Sequence, residues 1–175
     1  MHDLITDRRS GRDRRADAAA AAGQANEHAT ATVARWPLVV GADFDDHHPP
    51  DPWASVVHRA AADYRAGRCD SARQAWDERI TWRVDGGAPV VGADGVFAHH
   101  RQLLTLTDGT FHQTLVAIEP SGGPIVEAHV RTTATRNGRT LDIPTLIVFE
   151  LAAMRIRQVT EIPGDQAAWD AFWAD

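Results

Sequence analysis

A single cysteine, Cys69, occurs in 175 residues. An intrachain disulfide is excluded, and nothing points to an oxidising compartment. No apolar run approaches the ~20 residues that a membrane helix needs. The N-terminus lacks the apolar core of a signal peptide. The expectation is a cytoplasmic protein with no membrane partner. An excess of positive charge is also missing. The formal net charge is -6, which argues against a nucleic-acid partner held by phosphate neutralisation. There is no glycine-rich phosphate loop and no spaced ligand cluster, so neither an organic cofactor nor a metal is implied. What is present is a composition 43% hydrophobic, suited to one globular domain with a sizeable core plus a tail.

Residues 1–35 read as a solvated Arg/Ala-rich tail, because Asp3, Asp7, Asp13 and Asp17 nearly balance the arginines of RRSGRDRR. Residues 36–52 read as a short apolar segment followed by a turn-rich linker. There His47 and His48 stand among Asp43, Asp45 and Asp46 without a spaced ligand pair. From Trp53 the pattern is regular. Residues 53–67 form a helix with Val56, Val57, Ala60, Ala61 and Tyr64 on one side, stopped at Gly67. Residues 70–78 form a second short helix with Asp70 as N-cap. ITWRVD, 80–85, alternates as a strand, and 92–109 is a third helix. Four strand-like segments follow at 111–119, 125–136, 139–151 and 154–162, and Asp165 caps a last helix carrying Trp169, Phe172 and Trp173. Helices gathered on one face of an antiparallel meander make an α+β domain. If the sheet is strongly curved, it leaves a cone able to hold a small apolar molecule.

IVEAHVRTT, 125–133, puts Glu127, His129 and Arg131 on one face of its strand and Val126, Ala128 and Val130 on the other. Which face looks inward depends on the hairpin at Asn137-Gly138. A two-residue type I′ turn sets Val130 opposite Thr145 and Ala128 opposite Ile147, with Glu127, His129 and Arg131 outside. A three-residue turn with a glycine bulge slips the pairing by one and turns His129 inward, toward Glu161. Asn-Gly favours the first, and the second would give a His–Glu pair suited to proton transfer. Asp85 precedes Gly86-Gly87, where a turn role competes with a catalytic one. His100, with Val96, Phe97, Leu103 and Leu104 at helical spacing, sits mid-face on its helix, as a core residue or at the mouth of a pocket.

HRAAADYRAGRCDSARQAW followed by ITWRVDGG resembles the opening of ketosteroid isomerases and SnoaL-like polyketide cyclases. So does the helix start Gly92-x-Asp94-x-Val96. GRTLDIPTLIVFELAAMRIRQVTEIPG is similar to their last two strands, which run from a Gly-Arg turn through Val-Phe-Glu to Ile-x-x-x-Arg-Asp-Tyr. The resemblance spans residues 53–175 and is to the nuclear transport factor 2-like superfamily, which also holds limonene-epoxide hydrolases. It implies a cone-shaped barrel of strongly curved antiparallel sheet with helices on its concave face. It also implies a homodimer, and acid/base chemistry such as cyclisation, isomerisation, dehydration or epoxide hydrolysis. The last-strand acid of cyclases and epoxide hydrolases falls on Glu161, one methylene longer than their Asp. The isomerases' general base falls on Asp85. Their oxyanion-hole positions fall near Ala60 and Ile147, so that hole is missing. The water-holding Tyr and Asn of the epoxide hydrolases read Trp82 and Val84. The candidate catalytic residues are therefore Glu161, Asp85 and His129, with Trp82, His100, Ile143, Thr145, Ile147 and Phe149 lining the cone. A non-catalytic ligand-binding or dimeric accessory domain of the same fold is the alternative.

Overall fold

The computed structural model describes residues 38–40, 51–66 and 68–174. By its internal contacts the chain divides into Met1–Ala34 and Arg35–Asp175, and all described residues belong to the second unit. The tail, the His47-His48 segment and the Gly67 stop lie outside the described residues.

The elements run β1 (Leu38–Val40), α1 (Pro52–Arg65), α2 (Cys69–Gln74), β2 (Trp76–Val84), β3 (Val90–Val91), α3 (Ala93–Leu106), β4 (His112–Pro120), β5 (Ile125–Arg136), β6 (Arg139–Ala152), β7 (Arg155–Pro163) and α4 (Gln166–Trp173). They build an α+β domain on one seven-stranded sheet of order β1-β4-β5-β6-β7-β2-β3. The β4–β7 meander is antiparallel as expected, but β1 joins β4 and β2 joins β7 in parallel, so the sheet is mixed. No helix among the described residues is long and apolar enough to cross a membrane.

Local chemistry sets the helix ends. Asp51 caps α1 by accepting from the N–H groups of Trp53 (2.8 Å) and Ala54 (2.9 Å), with Pro52 in the first turn. Asp165 caps α4 through the N–H of Ala168 at 2.8 Å. Asp70 is not the cap of α2: it lies inside the first turn, after Cys69. The second helix is also shorter than its pattern suggests, because β2 begins at Trp76. Trp76 is buried there, stacked on Phe97 with ring centres 5.1 Å apart and 5.7 Å from Tyr64. Burying that indole in the main core outweighs one more turn of helix.

The main core packs α1, β2 and α3 against the inner face of β4–β7, through residues such as Val57, Tyr64, Ile80, Val96, Val130 and Phe149. A second cluster seats Trp169 and Phe172 of α4 on Phe111, Leu141 and Ile143.

Asn137 (φ 50°) and Gly138 (φ 75°) form a two-residue turn with Arg136 paired to Arg139. Positive φ at both central residues is the type I′ geometry. Val130 therefore faces Thr145 and Ala128 faces Ile147. Val126, Ala128, Val130, Thr132 and Ala134 are buried, and Arg131 lies outside in a two-pronged bond to Asp142 (both 2.6 Å).

A methyl group at Gly138 would meet nothing within 4 Å, so its cost there is purely conformational. Gly138→Ala is expected to lower stability by about 1 kcal/mol in urea denaturation, the left-handed backbone being the whole cause. An unchanged midpoint would contradict the turn geometry.

Candidate active site

Glu161 lies on β7, opposite Ile147 of β6 and Val84 of β2. It is 2% exposed. One carboxyl oxygen, Oε1, accepts from the indole Nε1–H of Trp82 at 2.8 Å, and the other, Oε2, accepts from the Nε2–H of Gln113 at 3.0 Å. Trp82 comes from β2 and Gln113 from β4, so the carboxyl ties three strands together. Both donors are neutral, and among the described residues no ion pair involves Glu161. Burial pushes the carboxyl up to about 7, and the two hydrogen bonds pull it back only in part.

His100 of α3 stands beside this group. It is 1% exposed, and its ring meets that of Trp82 edge-on at 4.5 Å. Its Nδ1 lies 2.8 Å from the carbonyl oxygen of Val96, which makes Nδ1 the donor. Burial pushes the imidazole down to about 3, so it stays neutral at physiological pH.

Of the expected lining, Trp82, His100, Ile143, Thr145, Ile147 and Phe149 are all buried. The strand residues share the inner face of the sheet. Gln113 and Thr132 are inner-face residues that the sequence reading missed. They are register partners, 1% and 0% exposed, and the Thr132 hydroxyl bonds that of Thr145 at 2.8 Å. In FHQTLV, Gln113 alternates with Phe111 and Leu115, a polar residue on an apolar face, but nothing local names Glu161 as its partner.

The other catalytic candidates lie elsewhere. His129 is on the opposite face from Glu161, with Nε2 3.4 Å from Glu119, because the two-residue turn sets its register. Asp85 is exposed at the end of β2, and its carboxylate accepts from the N–H of Gly86 at 3.1 Å, as a turn Asp does. Strict period-two alternation from Glu161 through Val159 would place Arg157 on the same face, yet it is exposed. Glu150 pairs with Gln158 and Leu151 with Ile156, which leaves Arg157 as the extra residue of a bulge. Glu119, Glu127 and His129 hold ligand atoms within 4.8 Å of one another on the outer face, the one such group among the described residues that could hold a metal ion. Two surface cavities, of ≈ 650 Å³ beside Arg73, Trp76 and Gly92 and of ≈ 600 Å³ beside His129, Leu146 and Ile162, do not include Glu161 in their lining.

No protein-family model matches the chain. An uncharacterised protein of Mycobacterium tuberculosis is 34% identical over 123 residues, 68% of this chain and 94% of the relative. Among solved structures, Bal32a from a soil-derived mobile gene cassette is 30% identical with a TM-score of 0.63, covering 70% of this chain and 97% of its own. A structure from Jannaschia sp. CCS1, described as a SnoaL-like polyketide cyclase, shares the fold at 16% identity and a TM-score of 0.55, covering 75% and 99%.

Glu161 and His100 act on stability in opposite directions. Between about pH 4.5 and about pH 7 the native carboxyl keeps a proton that the unfolded chain has released. The stability contributed by Glu161 is complete below that window and lost as pH rises through it. His100 binds its proton in the unfolded chain near 6.5 but in the native state only near 3. Its contribution is complete above 6.5 and lost as pH falls. In Glu161→Gln the first effect disappears. Relative to the parent chain, the stability of the variant is expected to rise by about 1.4 kcal/mol per pH unit between pH 5 and 6.5. Parallel pH profiles for the two proteins would contradict the buried, proton-holding carboxyl.

Proposed function

The chain belongs to the SnoaL-like / nuclear transport factor 2-like superfamily, and from that premise we propose that it is a cofactor-independent acid/base enzyme acting on a small apolar molecule. Glu161 is the proton carrier. The observation that carries this reading is a buried carboxyl with two neutral donors, no cation among the described residues, and a proton affinity near neutrality. A general acid or base works best when its pKa lies close to the working pH. An Arg partner would have fixed the charge and removed that ability.

In this reading the sheet curves into a cone, and Trp82, His100, Ile143, Thr145, Ile147 and Phe149 line the pocket. Glu161 takes a proton from a carbon beside a carbonyl, or from a water, and returns it to the product. Cyclisation, isomerisation, dehydration and epoxide hydrolysis all need that step. Neutral His100 orients Trp82 through their edge-on contact and does not itself exchange a proton. Asp85 and His129 take no part, and the assembly is a homodimer.

A second reading, a ligand-binding or dimeric accessory domain without chemistry, draws on Ala60, Ile147 and Val84. By the resemblance, Ala60 and Ile147 fall near the polar oxyanion-hole positions of ketosteroid isomerases and Val84 at the water-holding Asn of epoxide hydrolases, and all three are apolar here.

The test is a screen with apolar ketones and epoxides, followed by Glu161→Gln. Turnover is expected to fall by about 100-fold or more in a folded variant that still quenches tryptophan fluorescence on binding. Asp85→Asn and His129→Ala are expected to stay within about twofold of the parent rate. Glu161→Gln with undiminished turnover overturns the proposal. Binding without turnover in the parent chain establishes the second reading.

A further inference from the structure

The two oxygens of Glu161 do not face equivalent partners. Oε1 faces the indole Nε1–H of Trp82 and Oε2 faces the side-chain amide of Gln113. An indole nitrogen can only donate, whereas a carboxamide offers two donors on one atom and an acceptor on the other. In the carboxylate state both partners donate. When the carboxyl takes up a proton, its hydroxyl oxygen becomes a poor acceptor and its O–H needs an acceptor of its own. A proton on Oε1 would leave the Trp82 N–H facing that hydroxyl, in an interior where a weakened bond is costly. A proton on Oε2 meets a partner that can turn over and accept it.

We propose that Oε2 is the protonation site of Glu161, and that Gln113 is a positioning residue whose amide turns over as the proton comes and goes. Trp82 holds Oε1 as the carbonyl-like oxygen in both states. The titratable ring facing this group is His100, presented by α3. β6 presents Ile147 and β2 presents Val84 beside Trp82, so no charged neighbour among them competes for the proton. The proton is released toward the β4–β5–β6 side of the interior, where Thr132 and Thr145 form a buried hydroxyl pair. In its catalytic consequence this rests on the reading of Glu161 as proton carrier. A substrate would then place its reacting atom against Oε2 and a hydroxyl or carbonyl oxygen near that threonine pair.

The experiment is a pH titration of ¹⁵N-labelled full-length protein by two-dimensional NMR, following the Gln113 side-chain amide and the Trp82 indole N–H. The Gln113 resonances are expected to move with the midpoint of the Glu161 titration, while the Trp82 indole stays hydrogen-bonded and protected from exchange throughout. A Trp82 indole that loses its bond on the acid side while Gln113 is silent would put the proton on Oε1 and overturn the proposal. So would a Gln113 amide that does not respond at all. In Gln113→Leu the carboxylate loses a charge-assisted bond and the acid a weaker one, so the Glu161 midpoint is expected to rise by about one pH unit. A midpoint that stays where it was in Gln113→Leu would take Gln113 off Oε2 and overturn the proposal, while the turning over itself is read from the Gln113 amide resonances of the parent protein. Should Gln113→Leu fail to fold, the titration of the parent protein still decides. A responsive Gln113 with turnover indifferent to Glu161→Gln removes the catalytic reading alone. A silent Gln113 with turnover lost in Glu161→Gln removes the Oε2 assignment alone.

Discussion

The type I′ turn at Asn137-Gly138 decides which side chains of the long β5–β6 hairpin are removed from water. With Arg136 paired to Arg139, Ala128, Val130 and Thr132 face the core beside Ile143, Thr145 and Ile147. A slip of one residue would send Glu127, His129 and Arg131 inward, out of water, and would expose the valines. The desolvation of three polar side chains costs far more than the positive φ at two turn residues. The outer face uses the same register. There Arg131 meets Asp142 and His129 meets Glu119, and the exposed Arg131–Asp142 pair contributes little energy.

Given that register, β7 docks with Glu161 inward, and the described residues around it answer with donors and no cation. Trp82 reaches the carboxyl from one flank and Gln113 from the other. A carboxyl so placed is expensive to ionise, and the neutral imidazole of His100 is expensive to protonate. The pair thus leaves a nearly uncharged interior near neutral pH, with one group able to change state there. That is the arrangement an acid/base site requires.

Much of this was legible in the residues themselves. Period-two alternation located β4 to β7, the Asn-Gly pair favoured the two-residue turn over the bulged one, Asp165 read as a cap, and the apolar faces of α1 and α3 followed from helical spacing. Glu161 stood out through the resemblance of its strand to the family's last strand. Three features were not legible, each because it depends on distant contacts. Trp76 starts a strand instead of ending a helix because Tyr64 and Phe97 bury it. Arg157 leaves the inner face because β7 bulges against β6, which no local pattern announces. Gln113 was overlooked because a lone polar residue on an apolar face is conspicuous only once its partner is known.

Everything at this site turns on whether Glu161, a buried carboxyl, is in reach of its protonated form at neutral pH. Infrared difference spectroscopy of isotope-labelled protein, comparing the parent chain with Glu161→Gln across a pH series, reads that state directly. A carboxylic C=O band that belongs to Glu161 and disappears with a midpoint near pH 7 is the predicted result. A carboxylate band already complete near pH 5, as for an ordinary solvated Glu, would contradict the account.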